Sequence, residues 1–197
     1  KMKLRTEDIL SKFSNNLSHP HEVRRIALLL FDGLSKNVKE MSAKDRKILE
    51  SAALLHDIGY YVEAKSHNKH SQQIILDNGL DEFSAHETEM VACIARYHRG
   101  SLPNKEKHEL YGSFEKKDRK KIKRLAGILR VADGLDCSHL SAIKSIRIDY
   151  DEENNIIEIY LTLNTPEFRP DISVAVRKRD LLEIGFKCQS VIKFADV

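Results

Sequence analysis

Three separate segments of the chain carry a histidine or an aspartate where the neighbouring residues predict a buried helix face. His19 shares a helical face with the apolar residues four and eight positions later, and Asp133 follows apolar residues by four, seven and eight. His56 and Asp57 come directly after four apolar residues. Burying such groups costs free energy unless they are paired or bound to a cation. The spacing therefore predicts that three helices direct these four side chains toward one interior site.

This set of imidazoles and carboxylates is typical of a divalent metal site. It suits Mn, Fe, Ni, Zn or Mg better than it suits metals that prefer thiolates. The His56–Asp57 pair alone is more simply explained by a helix end that has reached solvent. The metal interpretation gains weight because His19 and Asp133 come from other helices.

Apolar periodicity predicts a mainly α fold with a small α/β tail. We expect a bundle of about six helices within residues 1–143 and a hairpin–helix–strand subdomain in residues 144–197. The helices are predicted at 6–17, 18–35, 42–58, 66–78, 84–98 and 118–138. The tail is predicted to contain strands at 146–150, 156–163 and 190–194, and a helix that starts at 171 or 179 and ends at 187.

Composition excludes several classes of protein. A net charge of +3 with 41% hydrophobic residues argues against disorder. The longest apolar run, residues 26–31, is too short for a membrane span, and no N-terminal leader is recognisable. Three widely spaced cysteines predict a reducing, cytoplasmic location. The basic run 116–124 is best explained as a solvated helix face, and a polyanion contact is the alternative. No aromatic residue interleaves with these charges, which argues against nucleic acid as a partner.

Five strings, LFDGL, ESAALLHDIGYY, HNKHS, ARYHRGSLP and RLAGILRVADGLDCSH, closely resemble in this order the C-terminal HD domain of the Ppx/GppA family. That family comprises exopolyphosphatases and guanosine pentaphosphate phosphatases, and the resemblance covers residues 15–195. The order H, HD, D is similar to the HD superfamily of metal-dependent phosphohydrolases. The resemblance implies that His19, His56, Asp57 and Asp133 are the primary metal ligands, with His70 and His98 as ligands of a second ion.

Lys69 and Arg99 adjoin the last two histidines and are candidates for binding phosphate oxygens. His70 and His98 are also compatible with ordinary helix-end positions. His67 fits a surface position about as well as a supporting one, and Asp136 fits either a ligand-orienting role or a solvated helix end.

We therefore expect a metal-dependent phosphohydrolase in which one or two ions, held around His56 and Asp57, act on a phosphate ester. Both a nucleotide and a polyphosphate-related substrate remain open. The alternative is a noncatalytic regulatory or dimerisation module that binds a phosphorylated ligand. Two features favour it: the resemblance is to an accessory domain of a longer enzyme, and Tyr60 stands where HD nucleotidases commonly have glutamate. A homodimer is the default oligomer.

Overall fold

The computed structural model describes residues 4–196, beginning with a helical bundle. Its helices are α1 (Thr6–Phe13), α2 (Ser18–Asn37), α3 (Ala43–Leu55), α4 (His67–Asn78), α5 (Ala85–Arg96), α6 (Glu109–Ser113) and α7 (Lys116–Leu135). A 3-10 helix, Ile58–Tyr61, connects α3 with α4. The tail consists of β1 (Ile143–Asp151), β2 (Ile156–Leu163), α8 (Ser173–Arg177), α9 (Arg179–Phe186) and β3 (Gln189–Phe194). The predicted fold class, a helical bundle followed by a small α/β unit, is confirmed.

Helix α7 lies at the centre of the molecule and packs against α2, α3 and α5 on one side and α8 and α9 on the other. Its apolar residues at helical spacing, such as Leu125 and Leu129, are almost completely buried. The matching stripe of α2, which includes Val23 and Leu30, is buried to the same extent. Burial of these stripes between packed helices contributes to aligning α2, which bears His19, with α7, which bears Asp133.

The tail forms a three-stranded sheet in the order β1-β2-β3. β1 and β2 are antiparallel, and Ile148 lies opposite Ile159. β3 pairs in parallel with β2, so the chain crosses over through α8 and α9 before it returns. Parallel pairing requires such a crossover, and here the crossover helices cover α7.

Glycines allow the crossover helices to approach α7 at backbone distance. A Cβ atom at Gly134 would lie 2.7 Å from the Cα of Ala175, and one at Gly127 would lie 2.7 Å from the Cα of Leu182. Such distances leave no room for a side chain. The tail is therefore fixed against the helix that carries Asp133.

Several element boundaries differ from those predicted. Helix α7 ends at Leu135, not at residue 138, so Asp133 lies in its last turn. Asp136 is the C-cap, with a non-helical φ of −116° and ψ of 26°, and its Oδ1 accepts a hydrogen bond from the backbone N–H of Ser141. Helix α6 was not predicted, and the tail helix is split at Lys178 into α8 and α9. Over residues 4–196, no helix combines the length and apolarity that a bilayer crossing requires.

Candidate metal centre

Four side chains from three helices meet in the interior of the bundle. His19 stands in the first turn of α2, His56 caps the end of α3, Asp57 follows it, and Asp133 lies in the last turn of α7. One ligand atom from each lies within 4.8 Å of all the others. The structure thus brings together all four residues that sequence analysis assigned to the primary site.

The short distances within this group centre on two carboxylate oxygens. Oδ1 of Asp133 lies 3.0 Å from Nε2 of His19 and 3.1 Å from Nε2 of His56. Oδ2 of Asp57 lies 3.2 Å from Nε2 of His56 and 3.7 Å from Nε2 of His19. The two imidazole nitrogens and the two oxygens therefore face a common point.

A second group shares Asp57 with the first. Its other oxygen, Oδ1, lies 3.1 Å from Nε2 of His67 and 3.3 Å from Nε2 of His98. The two imidazole nitrogens are themselves 3.1 Å apart. Asp57 thus directs one carboxylate oxygen into each of two adjacent groups of donors.

Hydrogen bonds on the far side of each ring orient the histidines. Nδ1 of His56 and Nδ1 of His98 each donate to the carbonyl oxygen three residues earlier, at 2.6 and 2.7 Å. Nδ1 of His19 lies 2.9 Å from Oδ2 of Asp136, which is almost completely buried. A ring that donates from Nδ1 keeps Nε2 available as a ligand, which is the usual arrangement behind a metal. Asp136 therefore supports His19 and is not a solvated residue.

The electrostatics of the first group are strongly coupled. Burial lowers the pKa of His19, but its hydrogen bonds to Asp133 and Asp136 outweigh burial and raise that pKa to about 9. Burial would raise the pKa of Asp133, yet hydrogen bonds from His19 and His56 and the charge of Lys178 hold it well below its usual range. In the metal-free protein, protons on the imidazoles compensate the carboxylates. A cation in their place would supply the same compensation.

The second group is balanced differently. Burial lowers the pKa of His98, with partial opposition from its hydrogen bond to Asp57. Burial alone would raise the pKa of Asp57, but the charge of His56 and hydrogen bonds from three histidines keep it far below the ordinary value. A neutral His98 and an ionised Asp57 are the forms that bind metals.

His70, which the sequence assigned to the second site, lies apart from it. Its Nε2 is 3.3 Å from Oε1 of Glu63 at the surface, and His67 contributes to the group in its place. His67 begins α4 and shares the buried face of that helix with Ser71 and Ile74, whereas His70 stands at the edge of this face. Helical spacing alone did not distinguish the two, because Ile74 follows His67 by seven positions and His70 by four.

The two cations predicted beside the site differ in position. Nη1 of Arg99 lies 3.2 Å from Nδ1 of His67, which itself is 3.2 Å from the carbonyl oxygen of Ala64. Lys69 is exposed, and its positive charge adds to burial in lowering the pKa of His108. Lys178, which sequence analysis did not single out, places Nζ 2.9 Å from Oδ2 of Asp133.

A hydrogen-bonded contact between α3 and α4 fixes the two groups relative to each other. The backbone N–H of Gly59 donates to Oγ of Ser71 at 2.8 Å, and that hydroxyl donates to the carbonyl oxygen of His56 at 2.7 Å. A Cβ atom at Gly59 would lie only 1.8 Å from the carbonyl oxygen of His67. Glycine is therefore required where the chain after Asp57 meets the start of α4.

A cavity of about 580 Å³ opens onto His19 and Asp57. Three aromatic rings, those of Phe13, Tyr60 and Tyr61, form much of its wall. Tyr60 and Tyr61 are 54% and 66% exposed, although residues of this size are usually more buried. The cavity therefore reaches His19 of the first donor group and Asp57, the carboxylate that both groups share.

Comparison with known proteins places the chain in a family. The family model for Ppx/GppA phosphatase, domain III, matches residues 3–169, which is most of the sequence. The chain therefore belongs to this family. A search of curated proteins finds no match.

Proposed function

We propose that this protein is a metal-dependent phosphohydrolase with an HD-type site for two divalent ions. The observation that carries the proposal is the position of Asp57, whose two oxygens belong to two adjacent groups of imidazole and carboxylate donors. Asp57 could therefore contribute a ligand atom to each of two ions, and a pair of divalent ions would supply the positive charge that phosphoryl transfer needs.

The donors fit divalent ions in geometry and in charge. Metal bonds to nitrogen and oxygen are about 2.1 Å long, so neighbouring ligand atoms of a tetrahedral ion lie about 3.4 Å apart. The contacts between imidazole nitrogens and carboxylate oxygens in the first group, 3.0 to 3.7 Å, are close to this spacing. In the second group, two imidazole nitrogens face each other at 3.1 Å, and that approach is unfavourable unless a proton or a cation lies between them.

The chain's own groups would bind and orient a phosphate ester. A divalent ion, when bound, lowers the pKa of water and polarises a phosphoryl oxygen. His19, His56 and Asp133 would hold one ion, His67 and His98 the other, and Asp57 both. The guanidinium of Arg99, exposed beside His67, would stabilise the negative charge that develops on the phosphoryl oxygens.

The walls of the cavity favour a phosphate ester that carries a flat ring, such as a nucleotide. Phe13 and Tyr61 pack edge to face with ring centroids 5.0 Å apart, and Tyr60 stacks on His67 at 3.9 Å. Aromatic faces of this kind bind nucleobases by stacking. A linear polyphosphate would instead need a row of cations, but Lys12 is the one Lys or Arg among the described residues that line this cavity.

The test is metal content combined with turnover. We expect wild-type protein purified without chelator to carry divalent metal and to hydrolyse members of a phosphoester panel after Mn²⁺ loading. His56→Ala and Asp57→Asn should lose both properties. His86→Ala is the matched control, since His86 is an exposed histidine paired with Asp118. Wild-type protein without metal, or variants that hydrolyse at the wild-type rate, would exclude the proposal.

The second candidate is a noncatalytic module that binds a phosphorylated ligand. Membership of a family defined by one domain of a larger phosphatase favours it, as does Tyr60 at the position of the usual glutamate. Thermal melting separates the two candidates. Stabilisation by a nucleotide without turnover supports the module, whereas stabilisation by Mn²⁺ with turnover supports the enzyme.

A further inference from the structure

Lys178 belongs to the C-terminal tail, yet its ammonium group lies in the candidate metal centre. It stands at the junction of α8 and α9, and its Nζ is 2.9 Å from Oδ2 of Asp133. Both side chains are 16% exposed, so water screens this ion pair only weakly. Among the described residues, 4–196, Asp133 is the one salt-bridge partner of Lys178.

The two oxygens of Asp133 have different partners. Oδ1 faces Nε2 of His19 and Nε2 of His56, inside the first donor group. Oδ2 is turned toward the tail and held by Lys178. One oxygen of Asp133 therefore faces the candidate metal site, and the other is bound by the ammonium group of Lys178 from the tail.

The backbone next to Lys178 is packed closely against α7. Its neighbour helix α8 touches α7 at backbone distance through Gly134 and Ala175, one residue beyond Asp133 on α7. Arg179, on the other side of Lys178, is directed away and donates hydrogen bonds to the carbonyl oxygens of Val176 and Ser190. Of the three consecutive basic residues 177–179, Lys178 is the one whose side chain contacts Asp133. The close packing of α8 on α7 holds its backbone in place.

We propose that Lys178 is a positioning residue that keeps Oδ2 of Asp133 from binding the metal. This inference rests on the proposed metal site. With Oδ2 occupied, Asp133 binds an ion through Oδ1 alone, and a coordination position stays open for another ligand, as catalytic metal sites require. The tail then has a defined role, because it sets the coordination of a ligand on α7.

Two effects of a lysine in this place can be separated by experiment. If Lys178 only offset charge, its loss would change the affinity for a cation and nothing else. If it positions Asp133, its loss frees Oδ2 to bind the ion as well, and the open position is filled. The second effect reduces the number of exchangeable water molecules on the ion, which a measure of affinity does not report.

The experiment compares Lys178→Met, Lys178→Arg and the control Arg177→Met in the full chain. Arg177 is the exposed neighbouring cation, so its variant removes one positive charge from the same segment. Calorimetric titration gives the affinity for Mn²⁺, and water-proton relaxation at saturating protein gives the hydration of the bound ion. Turnover of the panel substrate is measured in parallel.

We expect Lys178→Met to bind Mn²⁺ at least as tightly as wild type, with a lower relaxation enhancement and a turnover reduced about ten- to hundredfold. Lys178→Arg should recover relaxation and turnover in part, and Arg177→Met should match wild type. Unchanged relaxation in Mn²⁺-loaded Lys178→Met overturns the proposal, and so does a folded variant that no longer binds Mn²⁺. Wild-type protein that binds no Mn²⁺ instead refutes the proposed function, on which the inference depends.

A crystal structure of wild-type protein with Mn²⁺ gives a test that needs no variant. The proposal expects an ion on Oδ1 of Asp133 and Nζ of Lys178 still on Oδ2. An Asp133 that binds the ion through both oxygens, with Lys178 displaced, overturns it.

Discussion

Nε2 of His67 lies 3.1 Å from Oδ1 of Asp57, and this contact joins the first turn of α4 to the residue that follows the C-cap of α3. His67 is almost completely buried, and its ring stacks on that of Tyr60 at 3.9 Å. The same carboxylate contacts His56 through its other oxygen. Without His67, the second donor group would keep only Asp57 and His98. His67 is therefore needed for Asp57 to belong to two donor groups.

The first prediction compares two histidines of α4. His67→Ala should lower the Mn²⁺ stoichiometry from two ions to one per chain, because it removes a donor from the smaller group. His70→Ala should leave the stoichiometry at two, since His70 contacts Glu63 at the surface. Metal analysis after gel filtration measures both. Equal stoichiometry in the two variants would contradict the assignment of His67.

Substitution of Gly59 should affect both stability and metal binding. In Gly59→Ala the new methyl group would meet the carbonyl oxygen of His67, and overpacking of this kind costs roughly 1–3 kcal/mol. Gly79→Ala is the control for metal binding: its Cβ meets no atom within 4 Å, so its cost comes only from the backbone, whose φ of 71° and ψ of 170° suit glycine alone, about 1–3 kcal/mol. Urea denaturation gives both free energies of unfolding. We also expect weaker Mn²⁺ binding in Gly59→Ala only, and wild-type affinity there would argue against a linked α3–α4 contact.

The metal-free protein should lose stability as the pH rises. The pKa of His19 is about 9 in the folded state, against 6.5 for an ordinary histidine. Its proton therefore stabilises the fold fully below pH 6.5, and this contribution, up to about 3 kcal/mol, disappears as the pH rises through 9. Urea denaturation with chelator at pH 6 and pH 9.5 measures the difference. His19→Asn should show a smaller loss than wild type, and an equal loss in both proteins would contradict the prediction.

The aromatic wall of the cavity should determine affinity for ring-bearing substrates. Tyr61→Ala removes an exposed ring that packs against Phe13, and a lost stacking contact of about 0.5–1.5 kcal/mol raises KM roughly two- to tenfold. We expect this increase for a nucleoside monophosphate. A phosphate ester of glycerol, which has no ring to stack, serves as the control substrate and should keep its KM. The same change for both substrates would show that Tyr61 does not contact the ring.

Sequence periodicity was sufficient to predict the bundle and to place His19, His56 and Asp133 in its interior. Each follows or precedes apolar residues at helical spacing, and local spacing determines which face of a helix is buried. Helical spacing could not decide which of His67 and His70 faces the site. The choice depends on where α4 begins, and the helix begins at His67 because Ser66 adopts a left-handed conformation with φ of 56°.

Lys178 illustrates what the sequence could not indicate. It lies 45 residues after Asp133 in a segment with three consecutive basic residues, and nothing in their order marks one as special. Its position follows from close contacts of α8 with α7 at Gly134. Such contacts between distant segments are tertiary in origin and leave no periodic pattern.

The central claim is that Asp57 bridges two metal ions, and anomalous diffraction tests it most directly. Crystals grown with Mn²⁺ should show two anomalous peaks, one between Oδ2 of Asp57 and the group of His19, His56 and Asp133, the other between Oδ1 of Asp57 and Nε2 of His67 and His98. Diffraction from Asp57→Asn crystals provides the control and should show weaker peaks or none. A wild-type crystal saturated with Mn²⁺ that shows no peak next to Asp57, or a single peak on one oxygen, would contradict the claim.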